Sequence, residues 1–353
     1  MDLELTAEQR MLVESARATL ARACSPDHVR AMEADTRGYD PALWREMARL
    51  GWTGMLVPEG AGGGGQTFLE AVLVLEEMGR VLLPSPFLAS CVLAPVLLAE
   101  VDDRRLLSRI AAGEIVATIA LVEPGWRDEW GTPALPATPR GLTGTKQFVP
   151  FAAAADVLLV VAEGATLVAI TGRDGVTCRR HATLGGDHQY EVTFAAAQGE
   201  VLGRVGARLE AARLHAAVGA LSYAVGAAER ALELSVEYAK TRVQFGRPIG
   251  SFQAVAHRCA DMRSDVDAVR YLVYQAAWSL AAGRSAELEV GAAKAYGNEA
   301  LRRVFMHAHQ VHGAIGFSTE HDLQLFTRRA KAVELSWGST ASHRERVARA
   351  MGL

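Results

Sequence analysis

The hydrophobic period of this chain changes twice, and that limits its fold more than any single motif does. Up to about residue 114, and again from 206 onward, apolar side chains recur at helical spacing. Between them lie short β-branched runs separated by Gly, Pro and Asp clusters. Helix and strand periods do not interchange, so the order helix, β, helix implies an α+β protein with sheet and helices in separate layers. The expected division is 1–114 helical, 115–205 a small β domain of barrel or sandwich type, and 206–353 a helical bundle. A length of 353 residues suits two or three packed domains.

Local signals sharpen this. Thr6-Ala-Glu-Gln9 has the form of a capping box, with Leu12, Ala16 and Leu20 following at helical spacing. Asp40-Pro41 reads as an Asx cap with Pro in the first helical position, and the helix stops at Gly51. Helices are expected over 67–80, 93–112, 212–237, 255–282, 286–311 and 323–335, and strands over 115–122, 157–161, 166–170 and 190–194. The glycine run 60–65 has no GKS/T ending and follows no clear strand, so a loop is expected there rather than a phosphate cradle.

Composition excludes several classes. Half of the residues are apolar, 22% are charged and the net charge is −3, which gives no reason to expect nucleic acid or an anionic membrane. Cys24, Cys91, Cys178 and Cys259 show no CxxC spacing, so reduced thiols in a cytoplasmic protein are expected rather than a disulfide or metal framework. The N-terminus is acidic and unlike a signal peptide. No apolar run reads as a membrane span. His307, His309 and His312 lie close together but lack further ligands, so no metal is expected.

Two segments carry the chemistry. Arg242-Val-Gln-Phe-Gly-Arg-Pro-Ile-Gly-Ser-Phe-Gln253 pairs a cation and an aromatic ring with tight-turning residues between two helical patterns. Gln310-Val-His-Gly-Ala-Ile-Gly-Phe317 has the same character. With Leu50-Gly-Trp-Thr-Gly, Leu75-Glu-Glu-Met-Gly79, Glu123-Pro124 and Gly144-Thr-Lys146, they make the chain resemble the acyl-CoA dehydrogenase family over almost its whole length. The resemblance implies an N-terminal helical domain, a small β domain and a C-terminal four-helix bundle. It also implies FAD, an acyl-CoA substrate and an electron-transfer flavoprotein as electron acceptor.

In that family the flavin is held from two sides, by a subunit's own β domain and by a neighbouring subunit. The neighbour's group is present. The resemblance assigns Arg242 to the diphosphate, Phe245 to adenine, and Gln253, Gln310 and Gly313 to the same cofactor surface; a guanidinium fork matches phosphate oxygens. The own-side group is altered. Val122-Glu123-Pro124 stands where the family has Thr-Glu-Pro, which removes a hydroxyl donor. Phe148-Val149-Pro150-Phe151 replaces the family's aromatic-Ile-Thr-Asn, and proline has no N–H to offer.

The proton acceptor is the decisive point. The reaction removes a proton alpha to the thioester, and a positioned base is worth roughly 10²–10⁴ in rate. The family's two positions for its glutamate align with Trp337 and Ala216, and an adjacent substrate-holding basic residue with Ala217. Trp cannot accept a proton. Glu334 and His215 are the nearby substitutes. Three readings follow: the base-less partner in a heteromeric enzyme, as in bacterial enzymes for steroid side-chain thioesters, in a heterotetramer with a homologous subunit; a homo-oligomeric dehydrogenase with a displaced base; or a non-catalytic acyl-CoA-binding or scaffold protein.

Overall fold

The computed structural model describes residues 4–353; Met1–Leu3, the start of the acidic N-terminus, lie outside the described residues. The first stretch is helical: α1 (Ala7–Ala23), α2 (Pro26–Ala34), α3 (Pro41–Arg49), α4 (Phe68–Arg80), α5 (Ala94–Glu100) and α6 (Arg104–Ala111). The capping box at Thr6 forms in both directions, with Gln9 N donating to Thr6 Oγ1 at 3.2 Å and Thr6 N to Gln9 Oε1 at 3.0 Å. Asp40 Oδ1 caps α3 by accepting from Ala42 N at 2.7 Å. The helix expected over 93–112 breaks into α5 and α6, because Asp102 takes a left-handed conformation (φ 48°) and Asp103 starts a new cap on Leu106 N.

The middle is β: β1 (Ala117–Ala120), β2 (Ala137–Thr138), β3 (Gly141–Pro150), β4 (Val157–Ala162), β5 (Thr166–Ile170), β6 (Val176–Arg180), β7 (Gln189–Ala197) and β8 (Glu200–Arg204). One sheet has the order β1-β4-β5-β8 and the other β2-β3-β7-β6. β1 runs parallel to β4, and the other pairs are antiparallel. β4 is buried at every residue, hence its unbroken apolar run. β3, β6 and β8 are half-exposed and mixed in composition, so their sequences carry no such signal.

The last stretch holds α7 (Gly206–Thr241), a short hairpin of β9 (Val243–Gln244) and β10 (Arg247–Pro248), then α8 (Gln253–Ala281), α9 (Glu287–His312), α10 (Leu323–Leu335) and α11 (Thr340–Ala350). The described chain forms two compact units. One comprises 28–71 and 84–216; the other gathers the residues up to 27, 72–83 and 217–353.

Each unit has a polar knot. In the β-containing unit, fully buried Lys146 spends its three N–H groups on Leu121 O (3.0 Å), Val161 O (2.7 Å) and Glu123 Oε1 (2.7 Å). Glu123 in turn accepts from Ala134 N and Leu135 N, tying the loop after β1 to the sheet. Burial alone would raise the Glu123 pKa, but Lys146 and these N–H groups outweigh it and the net shift is downward. In the helical unit, Glu229 of α7 receives Arg263 Nη2 at 2.6 Å and Arg270 Nη2 at 2.7 Å, and Arg270 Nε also reaches Glu76 of α4 at 2.8 Å. Glu229→Ala leaves two guanidinium groups short of an acceptor and is expected to cost about 3 kcal/mol. Urea unfolding against the wild type checks this, and a loss under 1 kcal/mol would show that the knot is not a structural centre.

Candidate functional site

The hairpin after α7 is built to expose an aromatic ring. Gln244 pairs with Arg247, leaving Phe245 and Gly246 as a two-residue turn. Both have positive φ, 53° and 77°, the geometry that matches strand twist and favours Asn-Gly or Gly-Gly. Phe245 pays strain to sit there and is 92% exposed. Behind it, Phe252 meets its ring edge-on at 6.0 Å and holds Arg247 at 4.2 Å from its own ring. Arg242 lies at the hairpin base, where its backbone N–H bonds Tyr238 O and its carbonyl accepts from Ile249 N. Its guanidinium is exposed and, among the described residues, has neither hydrogen bond nor ion pair. Gln253 begins α8, also exposed.

A cavity of about 570 Å³ opens in the same unit between α7, α9 and α10. Its floor is apolar, from Leu221, Leu301 and Phe305, while Gln310, Gly313 and Glu334 stand in its wall. Gly313 has φ 66° and ψ −145°, a conformation closed to other residues, and a β-carbon there would meet nothing within 4 Å. Nearby, His309 Nε2 donates to Thr327 Oγ1 at 2.8 Å, because that hydroxyl already donates to Leu323 O. His312 stacks on Tyr238 at 4.8 Å, and His307 Nδ1 accepts from Arg258 at 2.9 Å. The three histidines are thus each engaged by the protein. Arg242, Phe245 and Gln253 do not line this cavity; the expected cofactor residues divide between its wall and the hairpin surface.

Ala216 is fully buried in α7. Beside it, His215 packs on Phe68 at 4.4 Å and its Nδ1–H donates to Ala211 O at 2.7 Å, which leaves Nε2 as the lone-pair nitrogen. Burial pushes this imidazole below its ordinary pKa, with a smaller push from Arg208. Trp337 sits in the turn between α10 and α11, half-buried, with φ 55°. Glu334 is not a free carboxylate: Lys331 Nζ donates to it at 2.8 Å.

In the β-containing unit, Val122 bridges Gln147 only through the backbone, and Pro150 offers a carbonyl, to Thr118 Oγ1 at 2.5 Å. The loop that follows is clamped on α7, with Trp130 Nε1 donating to Glu210 at 2.9 Å and Arg213 to Gly131 O at 2.6 Å. Phe148 opens the altered own-side segment. It is 58% exposed at φ 51°, where the register of β3 on β7 slips, and it rests on His181 at 5.0 Å. The glycine run 60–65 offers no phosphate cradle: Gly62, Gly63, Gly64 and Gly65 N–H groups bond Glu59, Pro58, Gly54 and Val57 carbonyls. Among the described residues no helix is long and apolar enough to cross a membrane.

The acyl-CoA dehydrogenase N-terminal domain profile matches residues 6–114, and the C-terminal domain profile matches 202–352. The chain belongs to the acyl-CoA dehydrogenase family. It is 33% identical over 327 residues to the acyl-CoA dehydrogenase IpdE2 of Mycolicibacterium smegmatis, covering 92% of this chain and 93% of that one. It is also 33% identical over 348 residues to FadE27 of Mycobacterium tuberculosis, covering 92% of each. Its fold superposes on the ChsE4-ChsE5 complex from Mycobacterium tuberculosis with a TM-score of 0.91 at 31% identity, covering 100% of this chain and 99% of that one. A steroid acyl-CoA dehydrogenase, Tcur3481-Tcur3483, gives 0.87 at 29%, covering 98% of each.

Acyl-CoA dehydrogenases are flavin-dependent oxidoreductases, so the residues can be tested against FAD. The unpaired Arg242, the exposed Phe245 and the open backbone at Gly313 fit its diphosphate and adenine. The own-side group fits less well, with no hydroxyl at Val122 and no N–H at Pro150. Because Phe245 buries little and is strained, Phe245→Gly is expected to leave unfolding free energy unchanged or raise it by up to ~1 kcal/mol. Phe245→Val, which resists positive φ more strongly, should lower it by about 1–2 kcal/mol. Thermal unfolding of the three proteins checks this; equal losses in both variants would mean that the ring has a structural task.

Proposed function

We propose that this chain is the base-less subunit of a heteromeric, FAD-dependent acyl-CoA dehydrogenase. It lends Arg242, Phe245, Gln253, Gln310 and Gly313 across an interface to a flavin held mainly by a homologous catalytic subunit. One observation carries the reading: an unpaired guanidinium and a strained, solvent-facing phenyl ring stand together on a hairpin, while both positions for the proton acceptor hold side chains that cannot take a proton. Groups of that kind complete a site that lies outside their own chain.

FAD, when bound, accepts the hydride from the beta carbon of the thioester. What this chain contributes is binding and orientation. Arg242 offers a planar fork to the diphosphate, Phe245 a flat face to adenine, and Gly313 room for the cofactor against backbone. Proton abstraction falls to the partner. Exposed Met306, Ile315, Phe317 and Leu335 give the same unit an apolar surface that a second chain would cover. The two-component ChsE4-ChsE5 and steroid enzyme structures support a heteromer, a heterotetramer being the simplest closed form, acting on a bulky steroid-type acyl-CoA. An electron-transfer flavoprotein is the proposed electron acceptor, and the cytoplasm the proposed location.

Arg242→Ala in the co-purified pair should strip most of the FAD while the pair stays associated. Flavin absorbance beside size-exclusion chromatography reads both, and full flavin content in the variant would sink the trans-binding reading. His215 supports a second reading, a displaced base, because its Nδ1–H is spent on Ala211 O and burial lowers its pKa, which leaves Nε2 as the nitrogen available to accept a proton. His215→Gln separates the two: turnover by the pair should persist within about threefold, whereas a base would cost roughly 10²-fold or more.

A further inference from the structure

We propose that His312 is a positioning residue for the cofactor surface: its ring, stacked on Tyr238, sets the Gly313 turn against the end of α7, so that Arg242 and Gly313 meet the same FAD. The proposal rests on the trans-binding reading above and adds the contact that makes one surface of two separate segments.

The two segments assigned to FAD are distant in sequence and share neither a helix nor a strand. Each is fixed locally. Arg242 follows the last residue of α7, and its N–H bonds Tyr238 O at 2.8 Å, so Tyr238 and Arg242 lie one turn apart on one face. Gly313 follows the last residue of α9, which is His312. Order within each segment does not set the distance between them. A contact must join the end of α7 to the end of α9.

That contact is a ring stack. The buried His312 imidazole faces the Tyr238 ring at 4.8 Å with an interplanar angle of 22°. Its own helix locks its orientation, because Nδ1–H donates to Ala308 O at 2.9 Å. His321 meets the same ring edge-on at 4.9 Å and is itself held by Leu323 N, which donates to its Nδ1 at 3.1 Å. The far end of the turn rests on a second imidazole. Phe317 stacks on His309 at 4.3 Å and 23°, and His309 Nε2 donates to Thr327 Oγ1 at 2.8 Å. Gly316 fits over the pair so closely that a β-carbon there would lie 3.1 Å from both His309 Nδ1 and His312 Cβ. The short turn Gly313–Phe317 thus lies on a bed of two imidazoles, and one of them is also pressed on Tyr238. Loss of the stack frees Gly313 to shift relative to Arg242, and a cofactor that needs both loses one of them.

The test titrates FAD into the flavin-stripped, co-purified pair and reads the change in flavin fluorescence, with size exclusion to report association. The variants are His312→Ala, His312→Phe, Tyr238→Ala, Arg242→Ala, and His312→Ala with Tyr238→Ala together. His312→Ala should weaken FAD binding about tenfold. His312→Phe keeps a flat ring and should stay within about twofold of the wild type. Tyr238→Ala should match His312→Ala, and the double variant should lose no more than either single one, since both remove the same contact. Wild-type affinity in His312→Ala, an equal loss in His312→Phe, or losses that multiply in the double variant would overturn the proposal. Should His312→Ala separate the pair, Tyr238→Ala decides alone: a loss of about tenfold supports the positioning role, and wild-type affinity overturns it. Arg242→Ala tests the underlying reading separately. Wild-type affinity in that variant rejects trans binding, whereas a loss there beside wild-type affinity in His312→Ala rejects the positioning role alone.

Discussion

Helices α4 and α7 cross with their backbones nearly touching, and much of the helical unit follows from that crossing. A β-carbon on Gly226 would lie 1.8 Å from Glu76 O, and one on Gly79 would lie 1.8 Å from Tyr223 O. Ser222 Oγ adds a 2.7 Å bond to Val72 O. So close a contact traps Glu76 in the interior, where desolvation raises its pKa. A buried carboxyl needs partners. Arg270 and Tyr274 of α8 supply them, at 2.8 Å each. Arg270 is itself largely buried and turns to Glu229, back on α7. Two glycines thus oblige an acid, the acid obliges an arginine, and the arginine fixes the register of α8 against α7. The hairpin bearing Arg242 and Phe245 joins those two helices, so its placement inherits that register.

The two polar economies of the molecule are different in kind. Inside, charges close on one another: Lys146 with Glu123, and Arg270 with Glu76 and Glu229. At the candidate site they do not. Arg242 is unspent and Phe245 is strained and exposed; Trp337 is strained and half-buried. Strain without a structural return, and a cation without a local acceptor, are what a fold retains when another molecule supplies the missing half.

Much of this was legible in the sequence. The Thr6 and Asp40 caps, the buried strand β4 and the long helices were readable because each is fixed by neighbours within a few residues or by an unbroken apolar run. The strands β3, β6 and β8 were not, since half-exposed strands of mixed composition owe their pairing to distant partners. Lys146 could be quoted as a landmark, but its three acceptors come from three separate strand ends and loops. The Phe245 and Trp337 sites were found through the family resemblance; their left-handed backbones could not have been, because an aromatic residue gives no sign of positive φ. The left-handed backbone at Phe148 was unreadable for the same reason.

The most direct test is the flavin content of this chain purified alone and then together with a homologous acyl-CoA dehydrogenase subunit, read from the visible absorption spectrum and protein mass. A colourless chain alone and one FAD for each pair of chains are expected. One FAD per chain in the isolated protein would contradict this, showing that the own-side pocket is complete despite Val122 and Pro150.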